Sequence, residues 1–165
     1  MKFFFNSIKN YLLLVIVTLI IYFFSPANSI YAEIYKESEL KNYGLDRFER
    51  LNPDSLLYLF KRVNEKAIVF FIRDEEKQSE YYSKLLDKRF KELVYIINVE
   101  KTGFLEEAAG RYITLIGQMK RDGVYTISKE RTKIYTFILE KLRDNYPSNT
   151  SYWLIIQQAI DTTRI

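Results

Sequence analysis

The chain has 165 residues with no cysteine and no histidine, which excludes disulfides, thiolate or imidazole metal sites, a cysteine nucleophile and any histidine-based triad. Its 25 Lys and Arg against 21 Asp and Glu give a formal charge of +4, but Lys2 and Lys9 fall in the first 32 residues, which hold no acid, so the rest stands near +2. So small an excess gives no broad basic face for nucleic acid, and 48% apolar content with 14 Tyr and 12 Phe excludes a disordered chain.

Lys2 and Lys9 make a positive start, residues 11–24 form an apolar run, and Ser25-Pro26-Ala27-Asn28-Ser29-Ile30-Tyr31-Ala32 adds a helix breaker and small residues. That is the layout of a secretory signal. A bilayer-spanning helix needs about 20 apolar residues and a signal core roughly 7 to 15, and this run matches the second class. Cleavage is predicted after Ala32, with Ser29 as the other small residue able to precede a cut. The alternative is an uncleaved membrane anchor, because Phe3, Phe4, Phe5 and Ile8 extend the apolar segment over residues 3–24. Either way the expected location is extracytoplasmic, on the outer side of a bacterial cytoplasmic membrane, secreted or membrane-associated. The organisation read from this is a signal peptide or anchor over 1–32, an irregular segment over 33–51, and one helical domain over 52–165.

Residues 33–42 are polar and read as irregular or a short helix, and Gly44 separates them from a turn of helix over 46–51. Asn52-Pro53-Asp54-Ser55 is the most specific punctuation in the chain. Asn52 suits an N-cap, Pro53 the first helical position, and Asp54 the positive end of the helix dipole, so this is read as a structural helix-start motif. From there a helix is predicted to about Ile72, with Leu56, Leu59, Phe60, Val63, Ala67, Phe70 and Phe71 as its core stripe. The run 67–72 also fits a buried strand; helix is preferred because the pattern enters without a turn and no partner strand is evident.

Asp74 caps a second helix, with Tyr82, Leu86, Phe90, Leu93 and Ile97 on its inner face and Glu80/Lys84 and Asp87/Lys91 as four-apart ion pairs outside. A third is predicted from a Thr102 cap to Arg121 with Leu105, Ala108, Ala109, Tyr112, Ile116 and Met119 inward. Gly110 and Gly117 each cost it about 1 kcal/mol, which a closely approaching helix would offset. Asp122-Gly123 ends it. A fourth follows Ser128 with Ile134, Ile138, Leu142 and Tyr146 inward, and a fifth follows Thr150 or Ser151 with Trp153, Ile156 and Ile160. The fold class is therefore all-α, an antiparallel bundle of four to five helices behind the N-terminal segment.

With these elements placed, the opening Pro53-Asp54-Ser55-Leu56-Leu57-Tyr58-Leu59-Phe60-Lys61-Arg62 and the later set Asp74, Glu76, Lys77, Leu85, Arg89 and Glu92 carry a family likeness. Over about residues 44–119 the chain resembles the bacterial family called domain of unknown function 5667. It departs at Leu56, where that family usually has proline. The resemblance implies an exported helical fold and carries no activity and no catalytic residue.

Paired acids at Glu75-Glu76 and Glu106-Glu107 stand in first turns, where they favour the dipole rather than face each other as an acid and base. Lys120-Arg121 and Lys129, Arg131 and Lys133 flank one loop; they fit a helix end, or an anionic lipid or wall polymer. Tyr81, Tyr82, Tyr95, Tyr112, Tyr125 and Tyr135 fit a core margin or a groove, and Arg89 and Arg111 turn inward, where Glu92 or Glu107 could pair with them. Neither catalytic residues nor a cofactor, metal or nucleic acid are expected. The expected role is an exported, non-enzymatic envelope interaction or scaffolding module that docks on another exported protein through an apolar helix face. A membrane-tethered sensor or regulatory domain is the alternative, and an enzyme the least supported class.

Overall fold

Six α-helices and one 3-10 turn are the regular elements among the described residues, 37–45, 51–125 and 127–164 of a computed structural model, and no strand occurs among them. All lie in the compact unit Ala32–Ile165. The signal, the cleavage after Ala32, the anchor over 3–24 and most of the predicted turn over 46–51 lie outside the described residues. In chain order the helices are α1 (Glu37–Lys41), α2 (Tyr58–Phe71), α3 (Glu75–Asn98), α4 (Leu105–Arg121), α5 (Lys129–Arg143) and α6 (Ser151–Arg164).

The bundle is built from α3 to α6. The Asp74 carboxylate accepts the Lys77 amide at 2.9 Å and starts α3 as predicted, and Tyr82, Leu86, Phe90, Leu93 and Ile97 are all buried. Helix α4 packs on α3 and α6, α5 packs on α6, and α3 meets α5 more lightly. At the centre the Phe90 and Tyr135 rings stack with centroids 3.7 Å apart, and the Tyr112 hydroxyl meets Thr163 Oγ1 at 2.8 Å. Ser128 caps α5 by accepting the Arg131 amide at 3.2 Å, and Thr150 Oγ1 accepts the Trp153 amide at 3.4 Å at the start of α6. The segment read as irregular or a short helix supplies α1, whose Leu40 is fully buried, and Leu45 joins the same core after Gly44 turns the chain at φ 75°.

Two details of α4 differ from expectation. Thr102 caps nothing: a 3-10 turn, Thr102–Phe104, leads into the helix, and Phe104 at its start makes no side-chain cap. Gly110 and Gly117 are exposed, and a Cβ added at either would meet nothing, so no helix approaches there to offset their cost. Gly123, at φ 70°, does end the helix as predicted.

The larger correction is α2. It begins at Tyr58 rather than at residue 53, with Leu57 in the cap position and no side-chain cap. Residues 52–58 instead make two successive turns, Ser55 N donating to Asn52 O at 2.9 Å and Tyr58 N to Ser55 O at 3.0 Å. Asn52 and Pro53 are buried, and the Asp54 carboxylate bonds the Lys101 ammonium. Asp54 is thus committed to a partner 47 residues away rather than to the amides of a first turn. The run 67–72 is helical to Phe71, with Ile72 as cap.

Candidate functional site

Helix α2 presents its polar side to the bundle. Tyr58, Lys61 and Glu65 recur at three and four residues, so they share one face, and that face meets Arg89 and Glu92 of α3. The Tyr58 hydroxyl donates to Glu92 Oε2 at 2.6 Å, and Lys61 Nζ donates to Glu92 Oε1 at 2.7 Å and to the Leu51 carbonyl at 3.0 Å. Arg89 Nη1 donates to Glu92 Oε2 at 2.7 Å and to the Tyr58 hydroxyl at 2.8 Å, while its Nη2 bonds Glu65. The Arg111 guanidinium of α4 lies 4.4 Å from the Tyr58 ring centroid and bonds Glu107. Arg89 and Arg111 therefore find the acids expected for them.

Glu92 is 1% exposed with both oxygens engaged, while Glu65, Arg89 and Arg111 border the adjoining groove. Burial, then the Glu92 charge and hydrogen bond, hold the Tyr58 hydroxyl protonated well above its usual range. For Arg89 burial opposes the charge, and Glu92, Tyr58 and Glu65 together outweigh it and raise the pKa. Burial pulls the Arg111 pKa down. Tyr58 and Lys61 are withdrawn from solvent.

Beside the cluster, a groove of about 850 Å³ opens between α2, α3 and α4. Val69 and Leu85 line it with Arg62, Lys66, Glu107 and Arg111, so the groove carries charges of both signs beside apolar side chains. The paired acids do not converge: Glu75, Glu76, Glu106 and Glu107 are exposed in first turns, and Glu107 is joined to Arg111. The basic loop divides as well, Arg131 pairing Asp87 at 2.7 Å while Lys120 sits over the Tyr125 ring. Tyr82, Tyr112 and Tyr135 are core residues, and Tyr81, Tyr95 and Tyr125 lie half-buried at its margin, so the tyrosines form no groove of their own.

The stripe assigned to the core is instead the outer surface of α2 and the turn before it, with Ala67 half-buried and the rest exposed. Leu56 is 79% exposed, Phe60 74%, Phe70 81% and Phe71 77%, with Leu59 and Val63 beside them. An isolated exposed leucine needs no explanation, whereas a run of large apolar residues exposed along one helix is uncommon on a soluble surface. The inverted orientation could be suspected from the second periodicity, Tyr58, Lys61 and Glu65, which has charge partners waiting at Arg89 and Glu92.

Residues 50–149 match the model of a family described as a domain of unknown function, number 5667. The match contains both halves of the buried cluster, Tyr58 and Lys61 from one quoted stretch and Arg89 and Glu92 from the other. No curated protein and no solved structure matches the chain.

Proposed function

The chain belongs to the domain of unknown function 5667 family, and from that premise we propose that it is an exported, non-enzymatic helical module of the cell envelope that acts by docking through the outer face of α2. One observation carries the reading. Leu59, Phe60, Val63, Phe70 and Phe71 are all exposed on one short helix, with Leu56 exposed in the turn before it, while the helix itself is held from behind by an ion cluster. Such a surface is costly to leave in water and of use only when something covers it. Both carboxylate oxygens of Glu92, at the centre of the cluster, are engaged by Tyr58, Lys61 and Arg89, which supports a fixed scaffold rather than a reaction centre. Export is supported by the positive start, the apolar run over 11–24 and the small residues up to Ala32.

A photoreactive residue at Phe60 in living cells, with one at Lys133 as the control, tests the docking. Adducts with an envelope component from position 60 and none from 133 are the expected result, and a chain free of adducts at position 60 removes the reading. The second reading, a membrane-tethered sensor, draws on Phe3, Phe4, Phe5 and Ile8, which lengthen the apolar segment. A mature chain starting at Glu33 in the soluble fraction, by intact mass, sinks it.

A further inference from the structure

We propose that what covers the outer face of α2 is a lipid bilayer, on which the helix lies in the plane of an anionic surface. The inference rests on the reading of that face as the docking surface and names its occupant. Charge separates a bilayer from a protein groove. Across residues 56–73 the charged side chains are Lys61, Arg62, Lys66, Glu65 and Arg73. The one acid, Glu65, is buried against Arg89 on the far side of the helix, so Lys66 and Arg73 stand exposed beside the apolar stripe with no acid of the same segment facing water. Asp74, Glu75 and Glu76 of the next helix, and Glu106 and Glu107 across the groove, mark where that basic flank ends. Phenylalanine and leucine on one face with Lys and Arg at its edge is the pattern of a helix that sits at the headgroup boundary.

Length and connection agree with an in-plane helix. Fourteen residues span about 21 Å, too short to cross a hydrocarbon core of about 30 Å, and no helix among the described residues is long and apolar enough to cross. An apolar run over 11–24 that stays uncleaved in the membrane holds the chain at that surface at high effective concentration, whereas a cleaved signal does not.

The absence of native cysteine makes the test clean, since a single introduced thiol takes up label at one place. The full chain is reconstituted in vesicles of phosphatidylglycerol and phosphatidylethanolamine, with an environment-sensitive fluorophore at Val63→Cys or, as control, at Lys133→Cys. Brominated acyl chains should quench the label at 63 and leave that at 133 untouched. Lys66→Gln should lower the lipid-inserted to water-exposed ratio at 63 about fivefold on anionic vesicles and leave it unchanged on phosphatidylcholine. Phe60→Ser with Phe71→Ser should abolish quenching while helicity and the emission of Trp153, on α6, stay as they were. Absence of quenching at 63 in every vesicle, with the same helicity, overturns the proposal. So do label-to-label contacts at 63 that grow with protein density in the vesicles, which would make the occupant a second copy. Adducts with a protein from position 60 in cells, without quenching here, would keep the docking role and reject the bilayer.

Discussion

Helices α2 and α3 are joined by residues 72–74 and both carry a clear apolar stripe, yet only α3 buries it. On α3, Leu86, Phe90, Leu93 and Ile97 are at most 1% exposed; on α2, Phe60, Phe70 and Phe71 are at least 74% exposed. The difference lies in what stands on the opposite face. Behind the stripe of α3 are solvated charges such as the Glu80 and Lys84 pair, 2.5 Å apart and both well exposed. Behind the stripe of α2 are Tyr58, Lys61 and Glu65, which have partners of matching charge on α3. Amphipathic spacing identifies two faces of a helix; complementary groups on the neighbour decide which one turns inward.

The strongest way to break this account is to remove the centre of the cluster. Arg89→Leu leaves the Glu92 and Glu65 carboxylates buried without their guanidinium, and losing one partner of a buried pair costs about 3 to 5 kcal/mol. Urea unfolding should show that loss. A change below about 1 kcal/mol would mean that the cluster does not hold α2.

The two stripes themselves give the next contrast. Leu93→Ala empties space at the centre of the bundle and should cost about 2 to 5 kcal/mol, whereas Phe70→Ala removes a larger side chain from water and should stay within about 0.5 kcal/mol. Equal losses at the two positions would return the α2 stripe to a core, against its exposure here.

Most of the bundle was legible in the sequence because its signals are local. Asp74 and Ser128 cap their helices, Gly123 ends α4, and the inner residues named for α3 are buried, each fixed by neighbours within a turn or two. The candidate site was not legible in the same way. Its bonds join residues 24 to 47 positions apart, from Glu65 to Arg89 and from Asp54 to Lys101, and no period within one helix reports them. Arg89 and Arg111 were recognisable as inward cations, and their nearby acids Glu92 and Glu107 followed because three- and four-residue spacing is local too.

Alkaline titration sharpens the comparison by a smaller amount. Burial, first of all, raises the pKa of Tyr58, Tyr112 and Tyr135, Glu92 adding to it at Tyr58 and Asp87 at Tyr135. Below about pH 10 these phenols are neutral in both folded and unfolded chains and their contribution is complete. Above it the unfolded chain releases protons that the folded chain retains, so stability falls as pH rises toward the folded values. Tyrosinate absorbance should lag in the native protein and jump on unfolding; smooth ionisation of all tyrosines near pH 10 without unfolding would contradict their burial.

The smallest effect belongs to the turn before α2, where the motif read as a helix start proves to be a strap. Asp54 and Lys101 are 20% and 24% exposed, between a solvent pair and a buried one. At Lys101 burial opposes the charge, and the hydrogen bond and charge of Asp54 more than restore it. A pair so placed should be worth no more than about 1 kcal/mol. Asp54→Asn and Lys101→Met should each lose that much or less in urea unfolding, and the double variant should lose less than the sum of the two, because each single change already breaks the same bond. The dipole role read for Asp54 predicts otherwise: Asp54→Asn would lose the charge at the helix start, and Lys101 would be irrelevant to it. Additive losses of the two changes would restore that role and remove the strap. A measurable coupling would leave Asp54 as the residue that ties the entry of α2 to the far end of α3, and so helps keep its polar face turned inward.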